Sequence, residues 1–305
     1  MDLKQLNYFL CLAREGNVTR AARQLNIVQP ALSMQIAKLE KGFGKRLFDR
    51  AAQGVSLTPA GESLLKLATG IKREVDHAEE QMARLDGKIS GRVSIGMIAS
   101  AAQSTLAASS TKIAERYPEI QLLICEGYTD SLIDWVTSGE IDVAIVNMPK
   151  RKIPLTAHHI LDESMMFAHG TANSVPFPKK VTFKQLSGLD LIVPSRRHGL
   201  RMILDSAASE AGVALKPRLE IDTLSAICEI VATTDMVTVL PGVALYPLLS
   251  TGRIQAKGLI KPMISRTVRW VANPRRTVSA ATAAVVEIIA ADLTEAARSA
   301  SQLIR

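Results

Sequence analysis

Gln29, Ser33, Met34 and Gln35 fall within two helical turns of one another. Amide and hydroxyl groups so placed can bond to base edges and phosphate oxygens of duplex DNA. Covalent chemistry has far less to work with. His158 and His159 are adjacent, so on a strand they face opposite sides and cannot share one metal. The chain has no Gly-x-Ser-x-Gly elbow and no nucleotide-binding glycine fingerprint after a strand. Gly44-Lys45 lacks the earlier Gly and the following Ser or Thr that a phosphate loop requires. Cys11, Cys125 and Cys228 are odd in number, far apart and without metal-ligand spacing. The expectation is a binding protein, not an enzyme, with no catalytic residue, no metal and no cofactor.

The elements that would position those side chains are helices. Ala21, Ala22 and Leu25, then Ala31, Leu32, Ile36 and Leu39, recur at helical spacing on either side of a break at Asn26 to Gln29. Asn26 suits a left-handed helix end and Pro30 the first turn of the next helix. This pattern predicts a helix-turn-helix whose second helix enters a major groove by its N-terminal end, although spacing alone fits an ordinary α–α corner equally well. Leu3, Leu6, Phe9, Leu10 and Ala13 form a supporting stripe that ends at Gly16. Leu47 to Leu57, with Gly54 near its middle, reads as a hairpin or wing, with Lys45, Arg46 and Arg50 beside it.

Charge and composition agree. The net charge is +8, and residues 1–58 hold 9 Lys or Arg against 4 acids. Most of the excess therefore lies where phosphates would be met. At 305 residues with 47% hydrophobic content, two or three folded domains are expected. The N-terminus lacks a signal sequence and the apolar run near Ala280 to Ala291 is too short for a membrane span. A reducing cytoplasm is the expected location, with no membrane partner.

Leu64, Ala68, Ile71, Val75, Ala78, Met82 and Leu85 follow one another at alternating steps of four and three, a heptad seam. Such a helix either pairs with a second copy or packs on its own chain. Pairing would set two recognition helices about 34 Å apart on an inverted repeat. Beyond Gly91, strands alternate with helices in two successive runs, which predicts two α/β lobes built on parallel sheets. Extended crossings near Leu155 to Ala168 and Ile264 to Ala272 would join them, and the helix Ser279 to Leu303 would return to the first. A cleft at the strands' C-terminal ends is the place for a ligand. Ser100 and Thr129 could hold a carboxylate there or merely cap helices. Pro194-Ser195-Arg196-Arg197-His198-Gly199 offers guanidinium groups to an anion, or to solvent.

The residues carry a resemblance as well. AARQLNIVQPALSMQIAKLE, Gly-Lys-Arg-Leu-Phe-Asp-Arg at 44–50 and Leu-Thr-Pro-Ala-Gly at 57–61 closely resemble the N-terminal region of LysR-type transcriptional regulators. Arg116-Tyr117-Pro118, Gly139-Glu140-Ile141-Asp142, Pro194-Ser195-Arg196 and Val239-Leu240-Pro241 are similar to the effector domain of that family. Val28, Met34 and Gln53 depart from the family pattern at positions that bear on the grip on phosphates. The resemblance implies an α/β protein. It would have a winged helix-turn-helix over 1–58, a linker and dimerisation helix over 59–88, and an effector domain over 91–305. That domain resembles the type 2 periplasmic-binding-protein fold, with lobe I about 91–160 and 268–305 and lobe II about 161–267.

The implied DNA-binding residues are Thr19, Gln29, Pro30, Ser33, Met34, Gln35, Lys38, Arg50 and Gln53. Those implied for the effector are Ser100, Ala101, Thr129, Pro194, Arg196, Arg197, His198 and Gly242. The implied partners are double-stranded operator DNA, a small anionic effector such as an organic acid, further copies forming a homodimer and then a homotetramer, and RNA polymerase. A DNA-compacting protein would account for the basic segment but leave roughly 210 residues of α/β domain without a task.

Overall fold

The computed structural model describes residues 1–51, 54–83, 89–172, 177–178 and 180–303. It divides into two compact units, Met1–Lys88 with Ser138–Glu140, and Ile89–Thr137 with Ile141–Arg305.

The first unit begins with α1 (Leu3–Glu15), α2 (Val18–Gln24) and α3 (Gln29–Phe43). Asp2 and Gln5 close a reciprocal capping box on α1, so two of its orphan N–H groups are satisfied. Asn26 adopts the left-handed conformation at φ 53° and turns the chain between α2 and α3. The strands β1 (Phe48–Ala51) and β2 (Gly54–Leu57) pair antiparallel as the wing. Glu40 ties it to α3, its Oε1 accepting the N–H groups of Leu47 and Phe48 at 2.8 and 3.2 Å. Gly54, at φ 145°, is required by a close approach, because a Cβ there would lie 2.2 Å from the carbonyl oxygen of Gly16.

Thr58 caps α4 (Pro59–Ala83), its hydroxyl accepting from Gly61 N–H at 3.0 Å. The heptad expectation needs correcting at its first two positions. Leu64 and Ala68 are buried in the same core as Leu6, Phe9, Leu12, Leu32, Ile36 and Leu39, so they pack on their own chain. Later positions differ. Ile71, Ala78 and Met82 are exposed, Met82 at 68%, and Val75 is half-buried. Leu85 and Gln53 lie outside the described residues, and Arg50 is described by its backbone alone.

In the second unit, β3 (Gly91–Met97), α5 (Ala99–Arg116), β4 (Ile120–Glu126), α6 (Thr129–Ser138) and β5 (Val143–Asn147) build the first lobe. There β3 pairs parallel with both β4 and β5. The long strand β6 (Thr156–Gly170) leads into the second lobe, which continues through β7 (Lys180–Thr182) and a 3-10 turn at Phe183–Gly188. After these come β8 (Ile192–Val193), α7 (Gly199–Glu210), β9 (Leu219–Glu220), α8 (Leu224–Thr233), β10 (Val237–Pro241), α9 (Gly242–Ser250) and β11 (Ile254–Ile260). The chain returns through β12 (Ser265–Ala272) and closes with α10 (Ala280–Leu303).

The expected crossings are strands of the sheet itself, so the architecture is mixed and not simply parallel. Strand β12 runs antiparallel to β5 and to the first part of β6, whereas β10 and β11 run antiparallel to its last part, from Met165 onward. One strand thus belongs to both lobes. Each lobe has its own apolar core, around Val93, Ile95, Val143 and Ile289 in the first and around Phe167, Phe183, Ile227 and Val239 in the second.

Because Leu64 fills core and Met82 does not, their truncations should differ. Leu64→Ala is expected to cost about 2–5 kcal/mol of stability, and Met82→Ala to stay within about 0.5 kcal/mol in a monomeric state. Urea unfolding of the first unit's signal in the full chain, at dilute concentration, checks this.

Candidate functional site

In the first unit, α3 separates its faces cleanly. Leu32, Ile36 and Leu39 are buried, while Gln29, Pro30, Ser33, Met34 and Lys38 are exposed, Met34 at 63%. Thr19 is exposed on the first turn of α2. Gln35 is half-buried and its side-chain oxygen accepts from Gln5 Nε2 at 3.4 Å, so it stands apart from the exposed set. Val28 caps α3 without a side-chain bond; Pro30 has no N–H and Ala31 and Leu32 donate to the Val28 carbonyl, so the Gln29 N–H is the first-turn donor suited to a phosphate.

In the second unit, a cleft of about 310 Å³ opens between the lobes. Its walls are the places where strands end and helices begin. Ile98 and Ala99 start α5, Tyr128 and Thr129 start α6, His198 and Gly199 start α7, and Thr223 and Leu224 start α8, with Gln103, Glu126, Asn147 and Asp222 between them. Four helix N-termini therefore converge on one space, each bringing the positive end of its dipole. Thr129 is 8% exposed, and its Oγ1 is buried with no hydrogen-bond partner among the described residues.

Beneath the floor lies a buried ion pair. Arg266 on β12 faces Glu163 on β6 directly across the ladder, and its Nε and Nη2 donate to Glu163 Oε2 at 3.0 and 2.7 Å. Its Nη1 donates to Ser100 Oγ at 2.7 Å and to Asn147 Oδ1 at 3.1 Å. The second carboxylate oxygen of Glu163 accepts from Val243 N–H at 2.7 Å, at the start of α9. Burial works against the charged form of Arg266 and lowers its pKa, with Glu163 acting the other way. With Asn147 Oδ1 engaged, its Nδ2 is the end left to face Gly199, where a Cβ would lie 3.3 Å from Asn147 Nδ2 and 3.4 Å from Thr129 Oγ1.

The lobes are linked across the mouth. Tyr128 Oη donates to Asp222 Oδ2 at 2.5 Å, and Asp222 also accepts from the N–H and hydroxyl of Ser195 at 2.8 and 3.0 Å. Burial raises the pKa of Asp222, but these hydrogen bonds outweigh it and hold the carboxyl below its ordinary value. The bond to Asp222, then burial, raises the Tyr128 hydroxyl. His198 is buried, and desolvation lowers its pKa, with Asp222 opposing and Arg266 reinforcing the shift. Its Nδ1 accepts from Leu200 N–H at 3.2 Å, so the neutral ring carries its proton on Nε2.

Of the residues expected at the cleft from sequence, Thr129 and His198 line it. The rest require correction. The Ser100 hydroxyl is taken by Arg266 beneath the floor, and Ala101 is fully buried core. Pro194 is buried and gives its carbonyl to Arg201 Nη1 at 3.2 Å, and Gly242 is buried at the start of α9. Arg196 and Arg197 are exposed and do not line the cleft, whose walls hold no Lys or Arg among the described residues. Asn147, Asp222, Tyr128, Arg266 and Glu163 went unread in the sequence. Two of them had a signal: Arg266 sits between buried Ile264 and Val268, and Glu163 between buried Leu161 and Met165, charges of opposite sign on the apolar faces of two strands.

The cysteines lie elsewhere. Cys228 is buried with its thiol pushed up to about 12 by burial and set against the carbonyl of Ala244 at 3.4 Å, and Cys11 is buried in the first unit. No cysteine is among the described residues lining the cleft.

An exposed helix face behind a wing, joined to a two-lobed α/β unit with a cleft at its helix N-termini, defines a class of ligand-responsive DNA-binding proteins. The family models agree. Residues 3–62 match the bacterial regulatory helix-turn-helix protein of the lysR family, and residues 86–294 match the LysR substrate binding domain. The chain belongs to the LysR-type transcriptional regulators, DNA-binding proteins with an effector-binding domain and not enzymes. Among its relatives, the dual regulator OxyR of Escherichia coli K12 is 28% identical over 278 residues, 90% of each chain. The uncharacterised regulator YybE of Bacillus subtilis is 26% identical over 241 residues, 79% of this chain and 82% of that protein.

Solved structures similar in fold include a full-length OxyR variant from Pseudomonas aeruginosa, with a TM-score of 0.75, 23% identity and 98% and 97% of the two chains covered. Full-length CbnR complexed with its target DNA gives a TM-score of 0.69 at 17% identity, covering 97% of this chain and all of that one. No helix among the described residues is long and apolar enough to cross a membrane.

Removing one partner of the buried pair leaves the other charged and unpaired, so Glu163→Ala should cost about 3–5 kcal/mol, measured by urea unfolding of the second unit's signal. For His198 the unfolded chain takes up a proton that the fold refuses. Stability is therefore expected to fall as pH drops through the ordinary histidine value, 6.5, and to level off below the lower folded-state pKa. His198→Asn, which can still cap α7, should reduce that dependence in unfolding curves taken across pH, leaving the share of His169, whose pKa burial also lowers.

Proposed function

We propose that this protein is a cytoplasmic, sequence-specific transcription regulator that reads operator DNA through α3 and senses a small molecule in the interlobe cleft. The observation that carries the first half is the exposed face of α3, where Gln29, Ser33, Met34 and Lys38 stand opposite the buried Leu32, Ile36 and Leu39. In this reading residues 1–58 form the DNA reader, with Thr19 and Pro30 beside the groove and Arg50 and Gln53 of the wing on phosphates. Residues 59–88 form the pairing helix, its seam starting at Ile71 and running through Val75, Ala78, Met82 and Leu85. Residues 91–305 form the sensor.

The effector carries an anionic group, as an organic acid does, seated on Thr129 and Asn147 at the N-terminus of α7. Ligand changes the balance between lobe arrangements only through its different affinity for them, and the homodimer and homotetramer transmit that balance to DNA and to RNA polymerase.

Operator fragments selected from the source genome provide the test. Gln29→Ala and Ser33→Ala should each weaken operator binding by about 1–3 kcal/mol and relax sequence preference, while Lys38→Ala should lower the salt slope by about one contact. Val75→Asp should disrupt pairing first. Fluorescence anisotropy and sedimentation check these, and a Val75→Asp protein that remains fully assembled with undiminished affinity would remove the pairing helix from the reading.

A further inference from the structure

We infer that the effector is a small zwitterion, one molecule holding an anionic group and an ammonium group a few bonds apart, an inference that rests on the interlobe cleft being the effector site. Two opposed features of the cleft carry it. At its base are groups that only donate, or that lack an acceptor. Among the described residues the Thr129 hydroxyl is buried without a partner, the amide end of Asn147 is turned toward Gly199 by the bond from Arg266 to its oxygen, and α5, α6, α7 and α8 all begin on the lining. A carboxylate seated there satisfies the hydroxyl, takes the amide N–H and meets the positive dipole ends of α6 and α7.

The walls have the opposite character. Glu126 and Asp222 place two carboxylates on a lining that holds no Lys or Arg among the described residues, and among those residues neither forms an ion pair. Nearby cations do not neutralise them. Arg266 lies beneath the floor and is matched by Glu163. Arg197 is exposed and acts on Tyr128 from outside the lining. Asp222 accepts three hydrogen bonds, from Tyr128 and Ser195, and a carboxylate offers about four acceptor sites, so it has room for one more donor.

A simple dicarboxylate would fill the base but press its second charge against Glu126 and Asp222. A simple amine would suit the walls and leave Thr129 unsatisfied. A molecule with both groups meets both demands, its ammonium taking Asp222 or Glu126 while its carboxylate occupies the base.

Melting curves and calorimetry on the full-length protein test this with three matched sets of probes. These are the common L-α-amino acids, the 2-hydroxy acids with the same side chains, and the amino-acid amides. At least one amino acid should bind saturably, and its hydroxy acid and its amide should each bind about tenfold weaker or worse, as should Thr129→Val and Asp222→Asn toward the amino acid. Hydroxy acids or dicarboxylates binding as tightly as the amino acids would overturn the zwitterion, and so would silence from every amino acid. The cleft itself is judged separately with Gly199→Leu, which fills the base, its folding confirmed by circular dichroism and operator binding. Should that variant fail to fold, Gln103→Trp on the exposed part of the lining serves in its place. Loss of all probe binding in the filled variant supports the cleft, whichever probe class wins. Unchanged binding there would sink the cleft reading and the zwitterion together.

Discussion

The ion pair between Arg266 and Glu163 is the constraint on which the sensing unit depends. Two charges buried this deeply forfeit several kcal/mol of hydration each, and the pair persists only where geometry and further hydrogen bonds make good the loss. Here they do, because every strong acceptor around Arg266 comes from a different element: Ser100 from the start of α5, Asn147 from the end of β5, Glu163 from β6. Glu163 in turn receives the N–H of Val243 at the start of α9. Four segments are thereby held to the one guanidinium that β12 carries. The cleft floor is the upper surface of that arrangement, and the free end of Asn147 faces the space above because its other end is occupied below.

The second organising feature is that β6 is shared. Its early residues pair with β12 and its later ones with β10 and β11, so the lobes are joined through continuous backbone, and the partners change at Ser164 and Met165. The bond from Tyr128 to Asp222 spans the opposite side of the space. The space is thus bounded by covalent continuity on one side and a polar link on the other, with dipole ends and carboxylates between them. A small difference in ligand contact with the two lobes is enough to bias an equilibrium between lobe arrangements.

Much of this was readable from residue order, and the failures have physical causes. The turn at Asn26, the split faces of α3, the wing about Gly54 and the placement of Thr129 and His198 all follow from local propensity or from position after a strand. The seam on α4 was over-extended because a stripe at three-four spacing has the same period whether it faces a second copy or its own domain, and Leu64 and Ala68 face their own. Arg196 and Arg197 follow a strand as His198 does, but position after a strand does not say which way a side chain turns, and theirs turn to solvent. The mixed sheet was missed because antiparallel and parallel partners share the same alternation. Arg266 and Glu163 were visible in principle as charges of opposite sign on two apolar strand faces. What the sequence could not supply was their register, which depends on the irregularity between Val268 and Arg269.

The rooting of α4 has a mechanical corollary. Its first turns are embedded among the side chains that also support α3, while its later turns stand clear of them. A helix of 25 residues is about 37 Å long and resists torsion along its whole length. A few degrees of rotation imposed at the distal end therefore arrive at the reading head nearly undamped, so the head can be re-aimed without any rearrangement inside it.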